Sequence, residues 1–294
     1  MVKTNTDVDN RIKKIKCFAL DMDGTIYLGT KWIGGAKDFL KAIEDSGRSY
    51  VFLTNNSSKN PSAYVDKLAS MGLEITTNQI ITSADATIAY IQKEYPGKKV
   101  YLLGNHLLRD QFVQAGIELV ADDVELAAKA DATAHGTDDK CSDDERKSFP
   151  DLVVVGFDTE LDYKKMCIVC DYVRAGIPYI STHPDYNCPT ETGFIPDAGA
   201  IHAFIEQSTG RKPDMIIGKP NSGIVDYLLE RTGFAKEEIA MVGDRLYTDV
   251  RTGVNNGLTG VLVLSGEATL EDVSQSDVKP HLIFDSVKEI ISFL

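Results

Sequence analysis

The stretch Cys17-Phe18-Ala19-Leu20-Asp21-Met22-Asp23-Gly24-Thr25 decides the reading of this chain. Four apolar residues run without alternation and stop on a carboxylate. Continuous apolarity of that kind is what a strand buried on both faces shows. Two carboxylates two residues apart, a glycine and a hydroxyl then follow at the strand's carboxyl end. That is the side on which open α/β sheets bind their ligands.

Four further runs end in the same way. Tyr50-Val51-Phe52-Leu53 stops at Thr54-Asn55-Asn56, and Ile239-Ala240-Met241-Val242 stops at Gly243-Asp244. Val261-Leu262-Val263-Leu264 stops at Ser265-Gly266, and Asp214-Met215-Ile216-Ile217 stops at Gly218-Lys219. The last run reads either as a strand or as a buried approach to Lys219. Strands ending at one edge would gather these polar residues around a single crevice. Helical periodicity fills the gaps. Ala36, Phe39, Leu40 and Ile43 share a face ahead of Gly47, and Asn60-Pro61 opens a helix carrying Tyr64, Val65 and Leu68. Thr82 or Ser83 caps a helix with Ile88 and Ile91 that Pro96-Gly97 ends, and Ile224, Val225 and Leu228 precede Gly233. Alternating strands and helices predict a doubly wound parallel sheet.

The middle of the chain repeats the style without the motifs. Val100-Tyr101-Leu102-Leu103, Leu152-Val153-Val154-Val155 and Pro178-Tyr179-Ile180 read as strands of a second α/β module. The expected division is a core of residues 1–96 and 211–294 with an insert of residues 97–210. The acid-rich stretch Asp131 to Pro150 reads as an exposed loop or strand-loop of that insert. Length agrees with two domains, at roughly 150 residues each.

Bulk composition excludes several classes. A net charge of −13 with no Lys/Arg block argues against a nucleic-acid partner. No run approaches the roughly 18 apolar residues that span a bilayer, so no membrane partner is expected. Residues 1–16 lack the apolar segment of a signal peptide, and the five cysteines have no framework spacing. Free thiols in a reducing, cytoplasmic setting are the expectation.

The residues at the strand ends suit phosphoryl transfer to a carboxylate. A phosphate monoester carries about two negative charges, and a carboxylate 4 Å away repels it by roughly 8 kcal/mol at an effective dielectric of 20. Such a nucleophile needs a bridging cation and donors around the other oxygens. Asp244 and Asp249, in Gly243-Asp244-Arg245-Leu246-Tyr247-Thr248-Asp249, supply with Asp21 the hard oxygen ligands that Mg²⁺ takes. Thr54 and Asn55 offer donors to phosphate oxygens, and Lys219 neutralises one.

With these residues in hand, the chain resembles the haloacid dehalogenase (HAD) superfamily of phosphatases over almost its full length. Motif one resembles Asp21 to Thr25, motif two Thr54 with Asn55-Asn56, motif three Lys219 in Gly218-Lys219-Pro220, and motif four Asp244 with Asp249. The insert between motifs two and three resembles an α/β cap of type C2. Thr54-Asn55-Asn56-Ser57, Gly218-Lys219-Pro220 and Gly243-Asp244-Arg245 together are similar to subfamily IIA, the NagD, p-nitrophenyl phosphatase and phosphoglycolate phosphatase branch. The resemblance implies that Asp21 attacks phosphorus to form an aspartyl phosphate, and that Asp23 is the general acid and then the base. A free Asp titrates near 3.9, so Asp23 must be held protonated for the first step. The resemblance also implies Mg²⁺ on the side chains of Asp21 and Asp244 and the main-chain carbonyl of Asp23, with Asp249 ligating through water or orienting the site. Thr54, Asn55, Asn56 and Lys219 are the implied substrate-binding residues. The substrate would be a small soluble phosphate ester: phosphoglycolate, a sugar phosphate, a nucleotide or an aryl phosphate. A homodimer through the caps is a further implication.

The segment Thr182-His183-Pro184-Asp185-Tyr186-Asn187-Cys188-Pro189 is similar to a substrate-specificity loop of this branch. It has His183 where the common pattern has Asn, and Asp197 where Gly is usual. Cys188 falls where a vitamin B6 phosphatase of the branch has His, which argues against pyridoxal phosphate. Other features have plain readings. Cys167-Ile168-Val169-Cys170 lies within a helical pattern and reads as packing, not as a redox pair. His135 near Cys141 reads as loop. A phosphoacceptor receiver domain shares the acidic cluster, Thr, Lys and Mg²⁺, but is about half this size and places its acceptor mid-domain. A non-catalytic Mg²⁺-binding scaffold is the third reading.

Overall fold

The computed structural model describes residues 5–137, 141–190 and 193–294. In chain order the strands are β1 (Cys17–Leu20), β2 (Tyr27–Leu28), β3 (Lys31–Trp32), β4 (Ser49–Thr54), β5 (Ile80–Thr82), β6 (Val100–Leu103) and β7 (Leu152–Val155). They continue with β8 (Tyr179–Ser181), β9 (Asn187–Thr190), β10 (Gly193–Pro196), β11 (Met215–Ile216), β12 (Ile239–Gly243), β13 (Thr259–Val263) and β14 (Leu282–Phe284). Two compact units result. One takes the chain up to residue 54 with residues 61–82 and 219–294, and the other takes residues 55–60 and 83–218.

The first unit is built on a six-stranded sheet in the order β14-β13-β12-β1-β4-β5, with every neighbouring pair parallel. β1 is central, with Leu20 opposite both Phe52 of β4 and Val242 of β12. All four residues of β1 are buried, as the unbroken apolar run requires. One face carries Phe18, Leu20, Tyr50 and Phe52 against Phe39, Leu40 and Ile43 of the helix Ala36–Asp45. Phe18 meets Phe39 edge to face at 5.7 Å. That helix buries the four residues whose spacing marked its apolar stripe. β2 and β3 form a short hairpin just after the Asp21 segment, with Tyr27 opposite Trp32. Strands of two residues carry no readable alternation, which is why this hairpin is absent from the expectations above.

The second unit has its own parallel sheet, in the order β11-β8-β7-β6, and a separate antiparallel hairpin of β9 and β10. The helix Tyr163–Arg174 covers the sheet with Ile168, Val169, Tyr172 and Val173. The architecture is thus α/β throughout: a doubly wound parallel core with an inserted α/β unit.

Three expectations change. The units divide at 83 and 218, not at 97 and 210. The helix Ser83–Glu94 packs Ala84, Ile88 and Ile91 against Val100, Leu102 and Val154, so its apolar stripe serves the inserted sheet. The run Asp214 to Ile217 likewise belongs to that sheet, since Met215 and Ile216 pair with Ile180 and Ser181. Within the acidic stretch Asp131 to Pro150, the helix Val124–Ala134 runs into its start and Asp143–Ser148 forms a second helix. Ser142 and Glu145 close a reciprocal capping box at the latter's start, and its three leading acids favour the helix N-terminus. Residues 138–140 of the stretch lie outside the described residues. No described helix is long and apolar enough to cross a membrane.

Candidate active site

The carboxyl ends of β1, β4 and β12 bring Asp21, Thr54 and Asp244 to one edge of the first unit. The Asp21 amide still donates to the Val242 carbonyl at 2.9 Å, so this residue is held by the ladder while its side chain leaves the sheet. The chain then turns: the amides of Thr25, Ile26 and Tyr27 all donate to the Met22 carbonyl. Gly24 makes the turn at φ +89°, in the left-handed region. A Cβ at Gly24 would sit 2.3 Å from an Asp244 oxygen, and one at Gly266 would sit 2.0 Å from the same oxygen. Both glycines are therefore required for Asp244 to lie where it does. Its carboxylate accepts from the Glu267 amide at 2.8 Å and from the Thr25 hydroxyl at 3.3 Å. Ser265 donates to the Gly24 carbonyl at 2.8 Å.

Lys219 reaches in from the start of the chain's last segment and is 2% exposed. Its ammonium donates to Asp21 at 2.6 Å, to Asp249 at 2.7 Å and to the Leu53 carbonyl at 3.0 Å. These three acceptors use all three of its protons. Asp249 lies on a π-type turn, Leu246–Val250, which carries its side chain back against Gly243. One oxygen of Asp249 accepts from Lys219 and the other accepts from the Arg245 amide at 3.1 Å.

Ligand atoms of Asp21, Asp244 and Asp249 all lie within 4.8 Å of one another. Two of the three carboxylates, Asp21 and Asp249, hold Lys219 between them. Burial, with Asp249 and Asp244 nearby, pushes the Asp21 carboxyl well above its ordinary value, and Lys219 offsets only part of this. Burial and Asp249 push Asp244 up to about 6. Burial opposes charge on Lys219, but Asp21 and Asp249 outweigh it, so its pKa is raised and it stays protonated. The excess negative charge and the all-oxygen donor set fit a hard divalent cation. Each carboxylate also accepts hydrogen bonds: one oxygen of Asp21 from Lys219, those of Asp244 from Thr25 and Glu267, and those of Asp249 from Lys219 and the Arg245 amide.

The structure brings Asp21, Asp244, Asp249 and Lys219 together. Asp23 is exposed beside them, with its side chain outside the cluster. Thr54 ends β4, half-buried. Asn55 and Asn56 fall in the second unit. There Asn55 donates to Asp185 at 3.1 Å, and Asn56 accepts from the amide and hydroxyl of Ser58 as an Asx turn. The motif reading passed over Ser265, Gly266 and Glu267. Their signal was available, because the β13 run ends at Ser265-Gly266 one strand away from Asp244.

The second unit has a buried polar cluster of its own. His183 and Asp197 meet at 2.8 Å between Nε2 and a carboxylate oxygen, and Asp185 lies near enough to form a second group of ligand atoms. That Asp197 oxygen also accepts from the Ala198 amide, at the N-terminus of the helix Ala198–Thr209. His202 contacts the Ser181 hydroxyl, and burial with His183 close by pushes its pKa down to about 3. Cys170 is buried in a helix and its thiol is pushed up by burial, as the packing reading of the cysteine pair expects.

Comparison with known proteins agrees with this geometry. A family model described as haloacid dehalogenase-like hydrolase matches residues 18–118, and a HAD-hydrolase-like model matches residues 216–290. An acid sugar phosphatase of Staphylococcus aureus is 36% identical over 283 residues, covering 96% of this chain and 99% of that protein. A 4-nitrophenylphosphatase from Thermotoga maritima superposes with a TM-score of 0.84 at 39% identity, over 96% of this chain and 98% of that one. NagD from E. coli K-12 superposes with a TM-score of 0.79 at 31% identity, over 94% and 98% of the two chains.

Proposed function

The chain belongs to the haloacid dehalogenase-like hydrolases and is a phosphoric monoester hydrolase, and from that premise we propose how its residues divide the reaction. Asp21 is the nucleophile. A carboxylate oxygen of Asp21 forms a bond to phosphorus while the bond from phosphorus to the ester oxygen breaks. The departing oxygen keeps the electron pair and takes a proton from Asp23. Asp23, now ionised, accepts a proton from water as the water oxygen attacks phosphorus. The bond from phosphorus to Asp21 breaks and its electrons return to the carboxylate. Ester and water have become alcohol and inorganic phosphate.

The observation that carries this reading is the buried convergence of Asp21, Asp244, Asp249 and Lys219 from separate strand ends, with more carboxylate than ammonium. Asp21 and Asp244, with the main-chain carbonyl of Asp23, would hold Mg²⁺, which when bound supplies positive charge toward the phosphate oxygens. Asp249 orients Lys219 and the turn at Arg245, accepting from the ammonium of one and the amide of the other. Lys219 keeps Asp21 in one rotamer and offsets part of its charge, and the Thr54 hydroxyl serves a phosphate oxygen. Asp23 is exposed, which suits a group that must meet first an alcohol oxygen and then a water.

The substrate is a small phosphate monoester of the sugar-phosphate or aryl-phosphate kind, in line with what the similar proteins are named for. Replacing Asp21 by Asn tests the assignment. Hydrolysis of a panel of phosphate esters should fall by roughly 10⁴-fold or more, as for loss of other enzymic nucleophiles. Near-normal turnover by Asp21→Asn would remove Asp21 from the reaction.

A further inference from the structure

Arg245 and Glu267 close a ring on Asp244. Arg245 follows Asp244 in the chain, and its amide donates to Asp249 at 3.1 Å. Its guanidinium Nε lies 3.0 Å from a Glu267 carboxylate oxygen, and the Tyr247 hydroxyl donates to the same oxygen at 3.3 Å. Glu267 completes the ring, because its amide donates to the Asp244 carboxylate at 2.8 Å. All of these residues belong to the first unit.

The loop around Glu267 is held without this ion pair. Ser265 donates to the Gly24 carbonyl at 2.8 Å, and the Ala268 amide donates to the Asp244 carbonyl at 3.1 Å. Those bonds fix the residues on both sides of Gly266-Glu267 and use neither charged side chain. What the ion pair adds is charge more than shape.

The charge is placed where it acts on the carboxylates. The side chain of Arg245 is 21% exposed and that of Glu267 is 49% exposed, so the cation is the more enclosed partner. A guanidinium stays ionised at any ordinary pH. Burial opposes charge on Arg245, but Asp21, Tyr247, Asp249 and Glu267 outweigh it and raise its pKa. Arg245 in turn offsets part of the upward push that burial and Asp249 exert on Asp244. One fixed cation thus interacts with all three carboxylates. Without a metal ion it joins Lys219 in offsetting their charge. A divalent ion held by Asp21 and Asp244 would be repelled by it. Glu267, in contact with Arg245, cancels part of that repulsion.

We propose that Arg245 and Glu267 form an opposed charge pair that sets the affinity of the Asp21–Asp244 edge for its divalent cation: Arg245 holds the affinity down, and Glu267 limits how far. They act through the field, neither as ligands nor as catalytic residues. This rests on the Mg²⁺ reading of that edge given above.

Mg²⁺ titrations followed by calorimetry, and thermal melts across the same Mg²⁺ concentrations, test the pair without reference to turnover. The variants are Arg245→Met, Glu267→Gln and the two combined, which remove one charge each and keep the side-chain stems. Arg245→Met should bind Mg²⁺ about tenfold more tightly than wild type, and Glu267→Gln about fivefold more weakly. The double variant should return to within about twofold of wild type, because both charges leave together. A structural brace gives another pattern: both single variants bind more weakly and the double variant does not recover. That pattern, or no tightening in Arg245→Met, overturns the proposal. Should Arg245→Met fail to fold, Glu267→Lys carries the test at a half-exposed position. It should weaken binding further than Glu267→Gln, and binding equal to that of Glu267→Gln would refute the charge effect. Asp244→Asn keeps the two readings apart. If it responds to Mg²⁺ as wild type does, the cation reading fails and the pair with it. If Asp244→Asn alone loses the response while the Arg245 and Glu267 variants match wild type, only the pair fails.

Discussion

The carboxyl ends of the two parallel sheets invite comparison, because the same architecture has been given opposite electrostatics. At the inserted sheet the buried acids Asp158 and Asp197 each have a partner. Asp158, after β7, accepts from Lys165 at 2.9 Å and from the Glu160 amide at 2.8 Å. Asn105, after β6, caps the next helix and donates to Ser58 and Thr159. His183, after β8, meets Asp197. At the core sheet Asp21 and Asp249 share Lys219, while Asp244 stands beside them with only partial offset from Arg245. Buried charges are tolerated when they are paired and hydrogen-bonded. The inserted edge is balanced as it stands, whereas the core edge has a carboxylate group that fits an added cation. The two clusters differ in charge balance, even though both look like candidate metal groups by proximity.

The sharpest way to break the comparison is Lys219→Ala. It removes the Lys219 ammonium from the core cluster and leaves Asp21 and buried Asp249 beside each other without it. Loss of one partner of a buried ion pair costs about 3–5 kcal/mol, so urea unfolding without metal should show a loss of that order. A loss under about 1 kcal/mol would mean that the acids relax into water and that the edge is not charge-strained.

Added Mg²⁺ should act on one edge only. At a hundredfold excess over its dissociation constant it should stabilise the wild type by about 2.7 kcal/mol in a thermal melt. Asp244→Asn should abolish that gain, and His183→Asn should leave it intact. Equal loss in both would place the cation elsewhere.

The inserted edge has a pH signature of its own. The His202 pKa falls from 6.5 to about 3 on folding, chiefly through burial. Below pH 6.5 the unfolded chain binds a proton that the folded chain refuses, so stability is full above 6.5 and is lost as pH falls toward 3. The slope is at most about 1.4 kcal/mol per pH unit. Urea midpoints between pH 7 and 5.5 should flatten in His202→Gln relative to wild type. The smallest effect belongs to Cys167→Ser, at a half-buried helix position, which should change stability by no more than about 0.5 kcal/mol and leave turnover unchanged under oxidant.

Much of the core was readable because its strands are buried on both faces, so burial writes itself as unbroken apolar runs that stop at Asp21, Thr54 and Asp244. The clustering of Asp21, Lys219, Asp244 and Asp249 followed from those stops. What could not be read has physical reasons. The apolar stripe of Ser83–Glu94 looks the same whichever sheet it covers, so the unit boundary was misplaced. Asp214 to Ile217 reads as apolar approach to Lys219, and nothing local says which sheet it joins. The helix Asp143–Ser148 was hidden by its acids, although Ser142 and Glu145 spell a capping box. The meeting of His183 with Asp197 is a tertiary contact across a hairpin, which spacing alone does not reveal.

The central place of β1 has a consequence for how the protein is made. Its ladder partner on one side is β12, and Thr25 bonds to an Asp244 that lies 219 residues further along the chain. At roughly 5–20 residues per second, the nascent chain carries Asp21 for on the order of ten to forty seconds before Asp244 is synthesised. By then the strands of the inserted sheet have all been made, so that unit can form while β1 has β4 on one side and still lacks β12 on the other. The exposed apolar edge of β1 during that interval is where aggregation would compete with folding, and slower synthesis of the last segment would lengthen the risk.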